Sequence, residues 1–300
     1  MGVVKTGIKR RVRLLGQALR PPQQLKASDA KKQKSAEKTA TKAPRPPKRV
    51  QVVDYSVPIM PRLVESPVFV IAPVRSGSTL LRMLLNSHSR IRAPHELHLR
   101  TIGVQLTPGF SERSMLELGL DQVEMEHVLW DRILHLELVR SGKEIFVDKT
   151  PGNVFIWERL KYAWPKAKFL FLVRHPEGVV SSLENRKNNT ATRAALEANA
   201  LKYFKPLEQA RRSLDGLTLR YEELTAEPER VTREICAYLG VEWEPGMLDY
   251  GEHDHGQFIP NLGDRSEKIK SGRIQAARTF DGIDTLSPEL AEYAVAWGYG

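Results

Sequence analysis

Cysteine is nearly missing. The 300-residue chain holds one, Cys236. That excludes an intrachain disulfide and any zinc site built from several thiolates. Cys236 stands in the apolar-periodic stretch EICAYLG, where a buried, inert thiol is expected. Long apolar runs are missing too: none reaches the roughly 18 residues of a membrane-spanning helix. The first residues lack the apolar core and small-residue cleavage site of a secretory leader, so a reducing cytoplasm is the expected compartment. No cluster of His, Asp or Glu has metal-ligand spacing. The alternating His253 and His255 in GEHDHG lack further ligands and read as a solvated acidic loop. No metal is expected.

Charge is present but uneven. The net charge is +10. Residues 1–50 carry 15 Lys or Arg against Asp29 and Glu37, and the remainder is slightly acidic. A nucleic-acid footprint across the whole chain is therefore not expected. Val4, Ile8, Val12, Leu15 and Leu19 recur at helical spacing among Lys5, Lys9, Arg10 and Arg13, which predicts a basic amphipathic helix ended by Pro21-Pro22. Residues 23–50 are rich in Lys, Ala and Pro and read as a disordered linker. The expected division is a basic tail over 1–60 and one folded domain over 61–300. Such a tail suits an anionic membrane surface or an acidic partner protein, such as a carrier protein bearing a tethered substrate.

Short apolar, β-branched or aromatic runs at 68–72, 144–147, 169–173 and 217–221 predict strands. Helical patterns occupy 79–87, 121–140, 153–163, 178–184, 192–212 and 229–239. The alternation predicts an α/β fold: a parallel sheet flanked by helices on both faces. Trp130, Trp157 and Trp164 fall in helical patterns and read as packing residues.

In such sheets ligands bind beyond the carboxyl ends of the strands. The stretch VFVIAPVRSGSTLL puts Arg75-Ser76-Gly77-Ser78-Thr79 at that place. Gly77 lets a ligand approach the backbone. Ser78 and Thr79 are expected to cap the helix and offer hydroxyls. The helix start favours an anion, and Arg75 adds charge. The order differs from G-x-x-x-x-G-K-[ST], because the cation precedes the glycine and no lysine follows it. KFLFLVRHPEGVVSSLEN repeats the logic with Arg174 at a strand end and Ser182 eight residues on. FVDKTPGNVF brings Lys149. Three cations on one rim suit a ligand with more than one anionic group.

Together these stretches resemble the sulfotransferases that use 3′-phosphoadenosine 5′-phosphosulfate. PVRSGSTLL resembles the family's 5′-phosphosulfate loop, and VRHPEGVVSS its 3′-phosphate motif. RYEEL, followed by a helix ending YLGV, resembles the next block, and APHELHLR the loop that carries a base. The pattern is nearer to the tyrosylprotein and bacterial polyketide-associated branches than to the cytosolic phenol enzymes. The resemblance covers roughly 66–275 and implies a P-loop-like fold. It implies that Arg75 and the amides of Ser76, Gly77, Ser78 and Thr79 hold the phosphosulfate. Arg174 and Ser182 would hold the 3′-phosphate, and Tyr221 would lie near the adenine. IKSGRI would add a contact through Lys270, Gly272 or Arg273.

Sulfuryl transfer needs positioning, charge stabilisation and a base for the acceptor hydroxyl. Glu96, His98 and His95 are the candidate bases, histidine because imidazole in general titrates near neutrality. Lys149 is a candidate for supporting the transferring group. The partner is a hydroxyl-bearing small molecule, carbohydrate or peptide. Two other readings stay open: a nucleotide-dependent phosphotransferase or NTPase, and a non-catalytic nucleotide-binding module.

Overall fold

The computed structural model describes residues 60–186, 189–256, 267–280 and 282–300. The expected basic helix at 1–20 and the linker at 23–50 lie outside the described residues. No helix among the described residues is long and apolar enough to cross a membrane.

Among the described residues, five strands form the core: β1 (Val68–Ile71), β2 (Ile91–Arg92), β3 (Ile145–Asp148), β4 (Lys168–Val173) and β5 (Leu217–Arg220). They pair in parallel in the order β2-β3-β1-β4-β5. The helices are α1 (Ser78–Asn86), α2 (Phe110–Glu117), α3 (Gln122–Ser141), α4 (Trp157–Ala163), α5 (Pro176–Glu184), α6 (Arg193–Ser213), α7 (Tyr221–Ala226), α8 (Pro228–Leu239), α9 (Glu267–Lys270) and α10 (Pro288–Ala296). The expected α/β class and parallel sheet are present.

The two-residue period of a strand explains the layering. Phe69, Ile71, Phe169 and Phe171 face one core, with Trp130 and Trp164 and with α5 and α6. Val68, Val70, Leu170 and Leu172 face the other, with α1 and α8. Every residue of β1 is buried, as expected where helices cover both faces. Trp157 packs at the edge of the first core.

The chain after β1 goes to one face, as α1, while the chain after the neighbouring β4 goes to the other, as α5. That divergence opens a crevice at the carboxyl ends of β1 and β4. Arg75 and Arg174 leave those two strands.

Two expectations change at the level of elements. Residues 153–163 are not one helix: a short 3-10 turn, Pro151–Phe155, precedes α4. β3 ends at Asp148, and Pro151 opens the tight turn, its fixed φ suiting a first helical position. The strand expected to reach 221 stops at Arg220, because Tyr221 opens α7.

Candidate active site

The crevice leads into a cavity of about 840 Å³, within the range of small-molecule sites. Among the described residues, seven Lys or Arg side chains line it against one carboxylate, Glu96.

The turn at the start of α1 forms one wall. Gly77 adopts φ +85°, a left-handed conformation that glycine takes without strain. Tyr221 lies against it so closely that a Cβ there would stand 2.1 Å from the ring. Ser78 and Thr79 do not cap the helix as expected. Both lie inside its first turn, Gly77 occupies the cap position, and no side chain caps it. The amides at a helix start lack carbonyls one turn back and point outward. Beside them the Ser76 hydroxyl is buried with no hydrogen-bond partner among the described residues.

Arg75, Arg174 and Ser182 meet. Arg75 Nε donates to Ser182 Oγ at 3.0 Å, and Arg174 Nη1 donates to the Arg75 carbonyl at 2.8 Å. The Arg174 guanidinium lies 4.6 Å from the Tyr221 ring centroid, a cation–π arrangement. Its Nε is buried with no hydrogen-bond partner among the described residues. Burial lowers the Arg174 pKa from its ordinary value. Gly178 is the close-approach position of α5: a Cβ there would meet Arg174 Nε at 2.9 Å and Phe280 at 3.1 Å.

Glu96 and Lys149 stand across β1 from Arg174. Lys149 is not an open rim lysine: its side chain is 2% exposed and its ammonium donates to Glu96 Oε1. The physical reason is that a buried ammonium needs a counter-charge, and the 93–98 loop supplies it. Burial lowers the Lys149 pKa while Glu96 pulls it upward. His98 Nε2 lies 3.3 Å from the other Glu96 oxygen. His95 is exposed and does not line the cavity, whereas Glu96 does. Beneath them the Thr150 hydroxyl donates to Asp148 at 2.9 Å. It accepts from the amides of Leu97, at 3.1 Å, and His98, at 3.3 Å.

The last wall is the segment after α9. Arg273 lines the cavity. Lys270 does not, being exposed, and Gly272 packs instead on the backbone of Gly251. Of the three alternatives in IKSGRI, Arg273 is the one on the cavity wall. Sequence reading passed over Arg278, Phe280 and Tyr250, which also line this wall. A loop returning to a site from far along the chain leaves no periodic signal.

The donor set is cations, hydroxyls and helix-start amides around two unpartnered buried groups, which fits a ligand carrying two separated anionic groups. The family model described as "Sulfotransferase family" matches residues 67–245. The chain belongs to the sulfotransferase family. Protein-tyrosine sulfotransferase 2 of Gallus gallus is 26% identical over 208 residues, 63% of this chain and 55% of that protein. Nodulation protein NoeE of Sinorhizobium fredii (strain NBRC 101917 / NGR234) is 23% identical over 233 residues, 66% of this chain and 55% of that protein. The chain thus spans about half the length of the curated relatives it matches. Among solved structures, the sulfotransferase domain from the curacin biosynthetic pathway superimposes with a TM-score of 0.57 at 21% identity. It covers 78% of this chain and 98% of that one. The sulfotransferase domain of the Synechococcus PCC 7002 olefin synthase gives 0.57 at 21%, covering 80% and 98%. These likenesses support the family's fold for this chain, including the sheet described above.

Remaining sequence expectations also have their places. Cys236 is buried, its Sγ 3.6 Å from Met247 Sδ, and burial raises its pKa to about 11. The GEHDHG histidines are not simply solvated. His255 bridges Asn86 and the Tyr250 carbonyl, and His253 pairs with the Gly246 carbonyl.

Proposed function

We propose that this chain transfers a sulfuryl group from 3′-phosphoadenosine 5′-phosphosulfate to a hydroxyl of its acceptor, in the cytoplasm. The observation that carries the reading is the joining of Arg75, Ser182 and Arg174 beside the α1 start. Arg75 and the amides of 76–79 hold the 5′-phosphosulfate and stabilise charge on the bridging oxygen as it departs. Arg174 and Ser182 hold the 3′-phosphate, Arg273 adds a cation, and Tyr221 closes the adenine side. Glu96 is the base: it lines the cavity, while Lys149 and His98 flank its two oxygens. It accepts the acceptor's proton, and His98 stands where it can pass the proton outward. Lys149 supplies positive charge toward the transferring group.

The test is a binding titration of the purified protein with adenosine 3′,5′-bisphosphate, 5′-AMP and ATP-Mg. Charge-assisted hydrogen bonds are worth about 1.5–3 kcal/mol. The bisphosphate should therefore bind about 10- to 100-fold tighter than 5′-AMP, and Arg174→Ala should abolish that advantage. ATP-Mg binding as well as or better than the bisphosphate would overturn the reading in favour of phosphoryl transfer.

A further inference from the structure

Along the carboxyl edge of the sheet, the groups read as holding the donor follow β5, β4 and β1: Tyr221, Arg174 and Arg75. Glu96 and Lys149 follow β2 and β3, on the far side of β1. Neighbouring strands stand about 4.8 Å apart, so β5 to β3 spans roughly 14 Å. The donor occupies the β5-to-β1 side, and the β3 end is left for the acceptor.

That end has a wall of its own. Pro151, two residues past Lys149, lines the cavity and begins the short 3-10 turn. The last residue of that turn, Phe155, packs on Tyr203 of α6 with centroids 4.9 Å apart and planes at 55°. Tyr203 lines the cavity, as does Asn199 one turn earlier on the same helix. Phe155 in turn has the Arg100 guanidinium 5.1 Å from its centroid. The Tyr203 ring is thus supported from behind by a second ring that a cation holds. Among the described residues, the other rings on the cavity serve the opposite end. Tyr221 lies on Gly77, Tyr250 donates to the Arg273 carbonyl, and Phe280 stacks on His175.

We infer that Tyr203, backed by Phe155 and flanked by Asn199, is the acceptor platform, and that the acceptor is a planar aryl hydroxyl compound. The inference rests on the donor reading above, which assigns the β5-to-β1 side to the nucleotide. A ring fixed in place at no further entropic cost meets a flat partner by offset or edge contact. Such pairs gain about 0.5–1.5 kcal/mol beyond burial, and a puckered saturated ring of the same skeleton does not. Asn199 offers an amide to a second polar group on the acceptor.

The test uses the full chain saturated with adenosine 3′,5′-bisphosphate and titrated with 2-naphthol or with its saturated counterpart, decahydro-2-naphthol. 2-Naphthol should bind about 5-fold tighter, within the range of aromatic pairing. Tyr203→Leu should remove the difference and Tyr203→Phe should keep it, with bisphosphate affinity unchanged in both variants as the check on folding. N-Acetyltyrosinamide, run alongside, distinguishes a peptide tyrosine from a small aryl acceptor. Equal binding of the two naphthol probes, binding of neither, or a preference that survives Tyr203→Leu overturns the assignment while leaving the donor reading intact. Failure of the wild type to bind the bisphosphate overturns the donor reading, and this assignment with it.

Discussion

Among the described residues, Arg75 (φ 65°) and His98 (φ 53°) are the two non-glycine residues with positive φ. Each costs of order 1–2 kcal/mol in that conformation and persists only where neighbours over-determine it. Arg174 and Ser182 hold Arg75, and Thr150 holds the amide of His98. Gly77 avoids that cost and leaves room for Tyr221. Gly77→Ala adds both the left-handed strain and a clash with the ring. We expect it to lower stability by about 1–3 kcal/mol and to weaken bisphosphate binding at least about 10-fold. Thermal unfolding and calorimetric titration would check the two effects separately. Arg75 and Arg174 could be found from sequence because strand-end cations stand out beside apolar runs, and Ser182 by its place eight residues after Arg174. The Glu96–Lys149 pair could not, since its members lie 53 positions apart.

The end of β3 organises the loop after β2. Asp148 is fully buried, and burial raises its pKa from the ordinary value. It accepts from Thr150 and from Asn153. Thr150 then presents one hydroxyl oxygen to two amides of the loop that carries Glu96. Thr150→Val strands the His98 amide and one Asp148 carboxylate oxygen, and leaves the Leu97 amide only its bond to Asp148. At roughly 1–3 kcal/mol per unsatisfied buried group, a loss of about 2–6 kcal/mol is expected. Hydrogen exchange at Leu97 and His98 should accelerate in Thr150→Val and stay slow in Thr150→Ser. Unchanged exchange in the valine variant would show that the loop is held by something else. The strands themselves were legible as short apolar, β-branched or aromatic runs. β2, with two residues, was too short to leave a pattern, and so was the reach of Thr150.

At the scale of the whole molecule, a buried polar network ties the segment before β1 to α3 and α4. Arg62 donates to Glu124 at 3.0 Å, and Arg159 donates to Glu126 and, at 2.8 Å, to His127 Nε2. Arginine only donates, so His127 Nε2 accepts and the ring proton sits on Nδ1, facing Glu124 at 3.4 Å. Burial, with Arg159 and Arg62 nearby, lowers the His127 pKa to about 3. The unfolded chain therefore takes up a proton at His127 near pH 6.5 and the folded one does not. Between pH 6.5 and about 3 the unfolded state binds more protons, so stability falls as pH falls. This one group contributes at most about 5 kcal/mol of that loss, at 1.36 kcal/mol per unit. Urea unfolding across that window should show the slope, and His127→Gln, which keeps a donor and an acceptor, should flatten it. An unchanged slope would assign the acid sensitivity elsewhere.

Sequence alone determined the strand-and-helix alternation, the cations Arg75, Lys149 and Arg174 at strand ends, and the likeness to the sulfotransferases. Each depends on neighbours within a few residues or on motifs in chain order, and the backbone's own periods expose them. Tertiary structure decided the strand order that sets β3 and β4 on either side of β1. It also decided the burial of Lys149 against Glu96, the exclusion of Lys270 and Gly272 from the cavity, and the place of Tyr203 on its wall. Those depend on packing between segments tens of residues apart, where side chains meet only after the sheet has assembled.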